Sequence, residues 1–207
     1  MLATAAGGLR ELLLRYDGQA DQPIIASVPT ATDKSANRIT GNEISGLPVS
    51  LPVHVADPLE RLRLVSLATG IAKEDHEILG AELYSRIMTY LPTAFTPAAF
   101  RWLSKRDSQN KIMNVAVSNV AGPRRRGHFG GAPVTEIYST GVLSPGAPVN
   151  ITVWSYVDQL NISVLSDGAT LEDPHELTEA LIDAFVEIRR AAGLSEELTV
   201  IESVIAP

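Results

Sequence analysis

Twice in this chain an aspartate is followed by proline and then, two residues further on, by glutamate: Asp57-Pro58-Leu59-Glu60 and Asp173-Pro174-His175-Glu176. Aspartate accepts from the free N–H groups of a helix start, proline suits the first helical position, and the glutamate can reach back to the cap. The two signatures predict helices from Pro58 to about Glu74 and from Pro174 to about Ala192, the second stopped by Gly193. Leu2, Ala5, Leu9, Leu12 and Leu13 recur at helical spacing, with Gly18 near the stop, and predict a further helix over 2–16. No capping residue precedes that helix, as though the chain opened in mid-element.

Between these helices the pattern is extended. Pro23–Pro29 reads as a short buried strand, Thr30–Asn37 as a polar loop, and Ile39–Val53 as an edge or bulged strand with its prolines. Asn110–Ser118, Pro133–Leu143, Val149–Tyr156 and Leu160–Ser166 read as strands, the last two joined by a hairpin at Val157-Asp158-Gln159. From Asp75 to Lys105 the pattern stays helical, broken by Pro92 and Pro97. Its charge-free part, Ile87–Phe100, suits a kinked helix pair in the core, or else a segment that lines a lipid tunnel or dips into a membrane surface. The order predicts one α/β domain, a mixed sheet covered by helices.

Seventeen basic residues against 24 acidic ones give a net charge of −7, which argues against general nucleic-acid affinity. Cysteine is absent, so disulfides and thiolate chemistry are excluded. Ile137–Val157 carries no charge and is long enough to span a bilayer. Yet Gly141, Pro145, Gly146, Pro148 and Asn150 break it into strands and turns. The chain is therefore read as soluble, at most associated with a membrane surface.

Catalytic signatures are scarce. His54, His76, His128 and His175 are not spaced for a shared metal, and each suits a surface or structural role. Neither G-x-S-x-G nor HExxH occurs. The glycine-rich stretch Gly127–Gly131 lacks the lysine of a phosphate-binding P-loop. The remaining lead is Asn114–His128, NVAVSNVAGPRRRGH, which predicts a strand that breaks at Asn119, turns at Gly122-Pro123 and then presents Arg124, Arg125 and Arg126. Three guanidinium groups on a rigid turn suit a phosphorylated ligand, which they would grip bidentately. They equally suit a solvated turn.

Several segments together resemble one family. GNEISGLPVSLPVHVADPLERL (41–62) resembles the GNR-x-S…PLP…DP-x-ERL stretch of the bacterial wax ester synthase/diacylglycerol acyltransferases. NVAVSNVAGP (114–123) resembles their strand ending in SNVPGP, with Ala121 in place of the usual proline. The residues from Gly131 to Asp167 resemble the strands that follow, with the SY-x-x-x-L hairpin.

The resemblance implies one lobe, residues 1–193, of the two-lobed CoA-dependent acyltransferase fold shared with chloramphenicol acetyltransferase and condensation domains. Residues 194–207 form a tail of uncertain structure. It further implies acyl-CoA as co-substrate, a lipid alcohol or diacylglycerol as acceptor, and a tunnel between the lobes. Ser118 and Asn119 would line the tunnel, and Arg124, Arg125 and Arg126 would attract the CoA phosphates.

The family's base is a histidine in HHxxxDG, a motif of its other lobe that does not occur here. No catalytic residue is therefore assigned, and the lobe is expected to be inactive alone. It would need a separate N-terminal lobe, or pair with itself as a homodimer over the apolar face left bare. The alternative is a non-catalytic module that binds acyl-CoA or lipid, or serves in dimerisation.

Overall fold

The computed structural model of the 207-residue chain describes residues 1–31, 44–79, 113–144 and 146–201. Most of the predicted Thr30–Asn37 loop, the broken helical stretch from Gly80 onward and the end of the tail lie outside the described residues.

Three helices, α1 (Leu2–Tyr16), α2 (Pro58–Leu79) and α3 (Pro174–Ala191), pack on one face of a sheet. The sheet is formed by β1 (Ile24–Ala31), β2 (Ile44–Leu51), β3 (Val115–Ala121), β6 (Val149–Tyr156) and β7 (Gln159–Ser166), in the order β2-β1-β3-β6-β7. β1, β3 and β6 run parallel, while β2 and β7 pair antiparallel at the two edges, so the sheet is mixed as expected. β4 (His128–Phe129) and β5 (Ala132–Pro133) form a separate two-stranded arm.

Strand alternation sorts the side chains onto the two faces. Ala26, Val49, Leu51, Val115, Val117, Ile151 and Val153 face the helices and are buried there. Leu177 and Leu181 of α3, Val65 of α2 and the small residues Ala3, Ala5 and Ala6 of α1 close the same core. The opposite face carries Ser27, Ala116, Ser118, Asn150, Thr152, Trp154, Tyr156 and Asn161 by the same alternation.

Two sequence expectations about strands need correction. β3 does not break at Asn119; it pairs with β6 as far as Ala121↔Ser155, because β6 offers an unbroken parallel edge to that point. Residues 133–143 are not a strand beyond Pro133. Both edges of β6 are already taken by β3 and β7, and these residues do not pair with the outer edge of β7. They cross the polar face of β6 and β7 instead, as a strap whose carbonyls are met by side chains. Tyr156 Oη donates to Val134 O at 2.8 Å, Asn161 Nδ2 to Ile137 O at 2.9 Å, and Asn150 Nδ2 to Val142 O at 3.4 Å.

The Asp-Pro helix starts form, with a change of detail. Asp57 Oδ1 accepts from Glu60 N at 2.7 Å, but the Glu60 side chain pairs with Arg63 rather than returning to the cap. Asp173 Oδ1 accepts from His175 N at 2.9 Å, and Glu176 Oε2 is taken by Tyr16 and Arg15 at the end of α1. The backbone N–H of His175, then its ring, hold the Asp173 carboxyl below its ordinary value of 3.8. The cap's contribution is thus present above that value and is lost as pH falls through the lower folded one. α2 also runs past Glu74 to Leu79.

One buried cation ties the helical layer together. Arg61 is 2% exposed; its Nη1 donates to Ala56 O at 2.9 Å and Val55 O at 3.2 Å, and its Nη2 to Glu187 on α3. Removing the guanidinium leaves two carbonyls and a carboxylate without their donor. Arg61→Ala is expected to destabilise the chain by about 3 kcal/mol. Urea unfolding checks this, and a loss within the scatter of ordinary surface substitutions contradicts it.

Candidate functional site

The carboxyl ends of β3 and β6 lie side by side, with Val120↔Trp154 and Ala121↔Ser155 as the last pairs. Open α/β sheets bind ligands outside such strand ends. Here the chain leaves β3 through Gly122 and Pro123. A Cβ on Gly122 would lie 2.2 Å from Ser155 O, so only glycine allows the turn to press this close to β6. Pro123 O then accepts from Val157 N at 2.9 Å. That bond helps hold Val157 at φ 56, in the left-handed region that a β-branched residue rarely enters. The β6–β7 turn is thereby tightened to the two residues between Tyr156 and Gln159.

Arg124, Arg125 and Arg126 follow, all exposed. Among the described residues none of them makes an ion pair. Arg126 Nη1 lies 3.4 Å from both Val134 O and Thr135 O, a loose hold on the base of the strap.

The fixed point beneath them is Tyr156, which is fully buried. Its hydroxyl accepts from Gly127 N at 2.9 Å and donates to Val134 O at 2.8 Å. Gly127 O in turn accepts from Val134 N at 2.9 Å. One side chain therefore pins both sides of the base of the arm that follows the arginines, and Gly127 is the residue directly after Arg126. Beyond it Phe129–Gly130–Gly131–Ala132 turns tightly. Gly130 (φ 59) and Gly131 (φ 87) supply the two positive angles that such a hairpin loop demands.

Ser118 and Asn119 are adjacent, so their side chains lie on opposite faces of β3. Ser118, half-buried, pairs with Thr152 on the polar face, the face that also carries Tyr156. Asn119 is exposed on the other face, past the cover of the helices. The structure thus groups Ser118 with the arginine loop and sets Asn119 apart from it.

Sequence reasoning had missed the polar residues that build this face. Asn150 and Thr152 are 6% and 3% exposed, and Thr152 Oγ1 donates to Asn150 Oδ1 at 2.8 Å. Their signal was available in VNITVWSY, where polar and apolar residues alternate as in a strand with two different faces. Two buried atoms beside the turn, Trp154 Nε1 and Gln159 Oε1, have no partner among the described residues.

The histidines give no reacting centre. His54 and His128 are exposed, His76 is half-buried on α2, and His175 Nδ1 is 2.8 Å from Asp173. Among the described residues no cluster of His, Asp and Glu could hold a metal ion, and no helix is long and apolar enough to cross a membrane. Two concavities, of about 370 and 320 Å³, lie in the helical layer around Arg61 and around Tyr16; neither is lined by Ser118, Asn119 or the arginines. On its own the arginine loop is an open surface, suited to gripping an anion and not to enclosing a reaction.

Comparison with known proteins fits this geometry to a family. The sequence profile of the WS/DGAT C-terminal domain matches residues 40–189. A Mycobacterium tuberculosis H37Rv protein provisionally named a diacylglycerol O-acyltransferase is 58% identical over 206 residues, all of this chain but 44% of its own length. The O-acyltransferase WSD of Acinetobacter baylyi is 26% identical over 206 residues, 41% of its length. The chain thus spans less than half the length of these relatives. Among solved structures, the wax ester synthase/diacylglycerol acyltransferase of Marinobacter aquaeolei VT8 superposes with a TM-score of 0.71 at 26% identity, over 93% of this chain and 43% of that one. A doubly substituted form of the starter condensation domain of the rhizomide synthetase, at TM-score 0.50 and 16% identity, is similar in fold alone.

Tyr156→Phe removes the hydroxyl, leaving Gly127 N unpaired and Val134 O with only the long contact from Arg126. We expect about 1 kcal/mol lower stability, and faster amide hydrogen exchange confined to residues from Arg124 to Val134. Unchanged exchange there would mean that the loop is held by something else.

Proposed function

Because the chain belongs to the WS/DGAT C-terminal domain family, we propose that it forms one lobe of an acyl-CoA-dependent O-acyltransferase that esterifies a lipid alcohol or diacylglycerol. In that reaction the acceptor oxygen attacks the thioester carbonyl, the carbon–sulfur bond breaks, and the acceptor's proton leaves as the CoA thiol is released. Two groups are needed: a base for the hydroxyl and a grip on the CoA phosphates.

The second is what this chain offers. Arg124, Arg125 and Arg126 stand exposed at the end of β3, on a loop held by Tyr156. That is the observation that carries the reading, since guanidinium groups on a fixed loop bind phosphate oxygens well at little further ordering entropy. Ser118 lies on the same face and would line the acyl-CoA path, while Asn119 would shape the strand end from the other side. The base is the part this chain does not offer. None of its histidines is followed by aspartate and glycine at the spacing of HHxxxDG, and none stands in an enclosed site among the described residues.

The base would come from an N-terminal lobe, or the chain would act as an acyl-CoA-binding or dimerisation module. A cytoplasmic place, peripheral to a membrane or to lipid inclusions, belongs to the same proposal.

The purified chain is expected to bind CoA, to bind it less tightly as salt rises, and to show no transferase turnover. Replacing Arg124, Arg125 and Arg126 together by alanine should weaken binding on the order of a hundredfold at low salt, at about 1 kcal/mol for each charge-assisted contact. Calorimetric titration reads the affinity. Equal affinity in the triple variant would remove the assignment, and robust turnover by the chain alone would place the chemistry elsewhere.

A further inference from the structure

Phe129 is 85% exposed, at the tip of the arm formed by β4 and β5. Its neighbours in the turn are Gly130, Gly131 and Ala132, too small to cover the ring. A folded chain usually buries phenylalanine, and one held out in water by a tight turn invites an apolar surface. What kind of surface is suggested by the charge around it. From Ser108 to Val157 the sequence has Lys111, Arg124, Arg125 and Arg126 against the single acid Glu136, in a chain whose net charge is −7. The positive charge is gathered at the base of the arm whose tip is aromatic.

We propose that the arm from Arg124 to Pro133 is an interfacial anchor for an anionic lipid bilayer. The Phe129 ring enters the headgroup region while the arginines meet lipid phosphates, the combination of apolar burial and electrostatic attraction that holds a peripheral protein. Penetration is shallow, because the glycines and Ala132 that follow Phe129 add little apolar surface. It is also directed, because Tyr156 fixes the base of the arm to β6. On the function proposed above, the anchor would bring the strand ends to the surface from which a lipid acceptor arrives. The anchor itself does not rest on that function.

Co-sedimentation of the full chain with vesicles tests the proposal. Vesicles of phosphatidylcholine mixed with phosphatidylglycerol should bind the chain, and pure phosphatidylcholine should not. Phe129→Ala should weaken binding about tenfold, with CoA affinity and circular dichroism unchanged, which separates anchoring from both substrate binding and folding. The triple arginine-to-alanine variant should weaken vesicle binding on the order of a hundredfold. In Phe129→Trp, lipids brominated in their acyl chains should quench emission beyond the quenching seen with Trp102 and Trp154 alone. No preference for anionic vesicles, full vesicle binding by Phe129→Ala, or no added quenching in Phe129→Trp would each overturn the anchor. In the last two cases any vesicle binding that remained would be phosphate attraction alone.

Discussion

The parallel pairing of β3 with β6, from Ala116↔Asn150 to Ala121↔Ser155, is the constraint on which the rest of the structure depends. Parallel neighbours cannot be joined by a tight turn; the chain must travel back the length of the sheet before it can pair. Most α/β units make that return with a helix. Here the described residues between β3 and β6 make it with a basic arm and a strap, laid over the face opposite the described helices. An irregular strap needs its carbonyls satisfied, and Tyr156, Asn161 and Asn150 satisfy three of them. The same crossover that closes the sheet therefore carries the arginines, and the side chain that anchors the strap also sets the position of the arginine loop.

The two faces divide the labour. On the helical side α1, α2 and α3 bury the apolar residues of the sheet, and Arg61 links the start of α2 to Glu187 on α3. That layer contains two concavities, one lined by Glu11, Asp183 and Glu187 together with Arg10 and Arg61, the other by Glu172, Asp173 and Glu176. The carboxylates outnumber the guanidinium groups in both, which disfavours a polyanion such as CoA there. The polar face has hydroxyls and amides near its centre and guanidinium groups at one end. The proposed ligand path follows the sign of the charge rather than the depth of the pocket.

Much of this was legible in the sequence. Both Asp-Pro helix starts form with an aspartate oxygen on a backbone N–H, and the residues resembling known acyltransferases predicted the fold that the Marinobacter structure shares. What misled was local reading of a non-local feature. Asn119 suggested a strand end, yet pairing with β6 carries the strand on to Ala121; residues 133–143 have strand-like composition but cross the polar face of the sheet, where side chains rather than a neighbouring strand meet their carbonyls. The Gly130-Gly131 turn was hidden because two-residue strands are too short to show alternation. The site was legible as a cluster of charge. Its anchor was not, since a tyrosine ending a strand gives no hint that its hydroxyl will reach Gly127 and Val134.

Hydrogen–deuterium exchange of the chain with and without CoA tests the central claim most directly, because it shows where the ligand sits without needing turnover. Protection should appear in the backbone from Ser118 to Val134, Gly127 included, and spare the helices around Arg61. Protection centred on the helical layer, or none at all, would contradict the account.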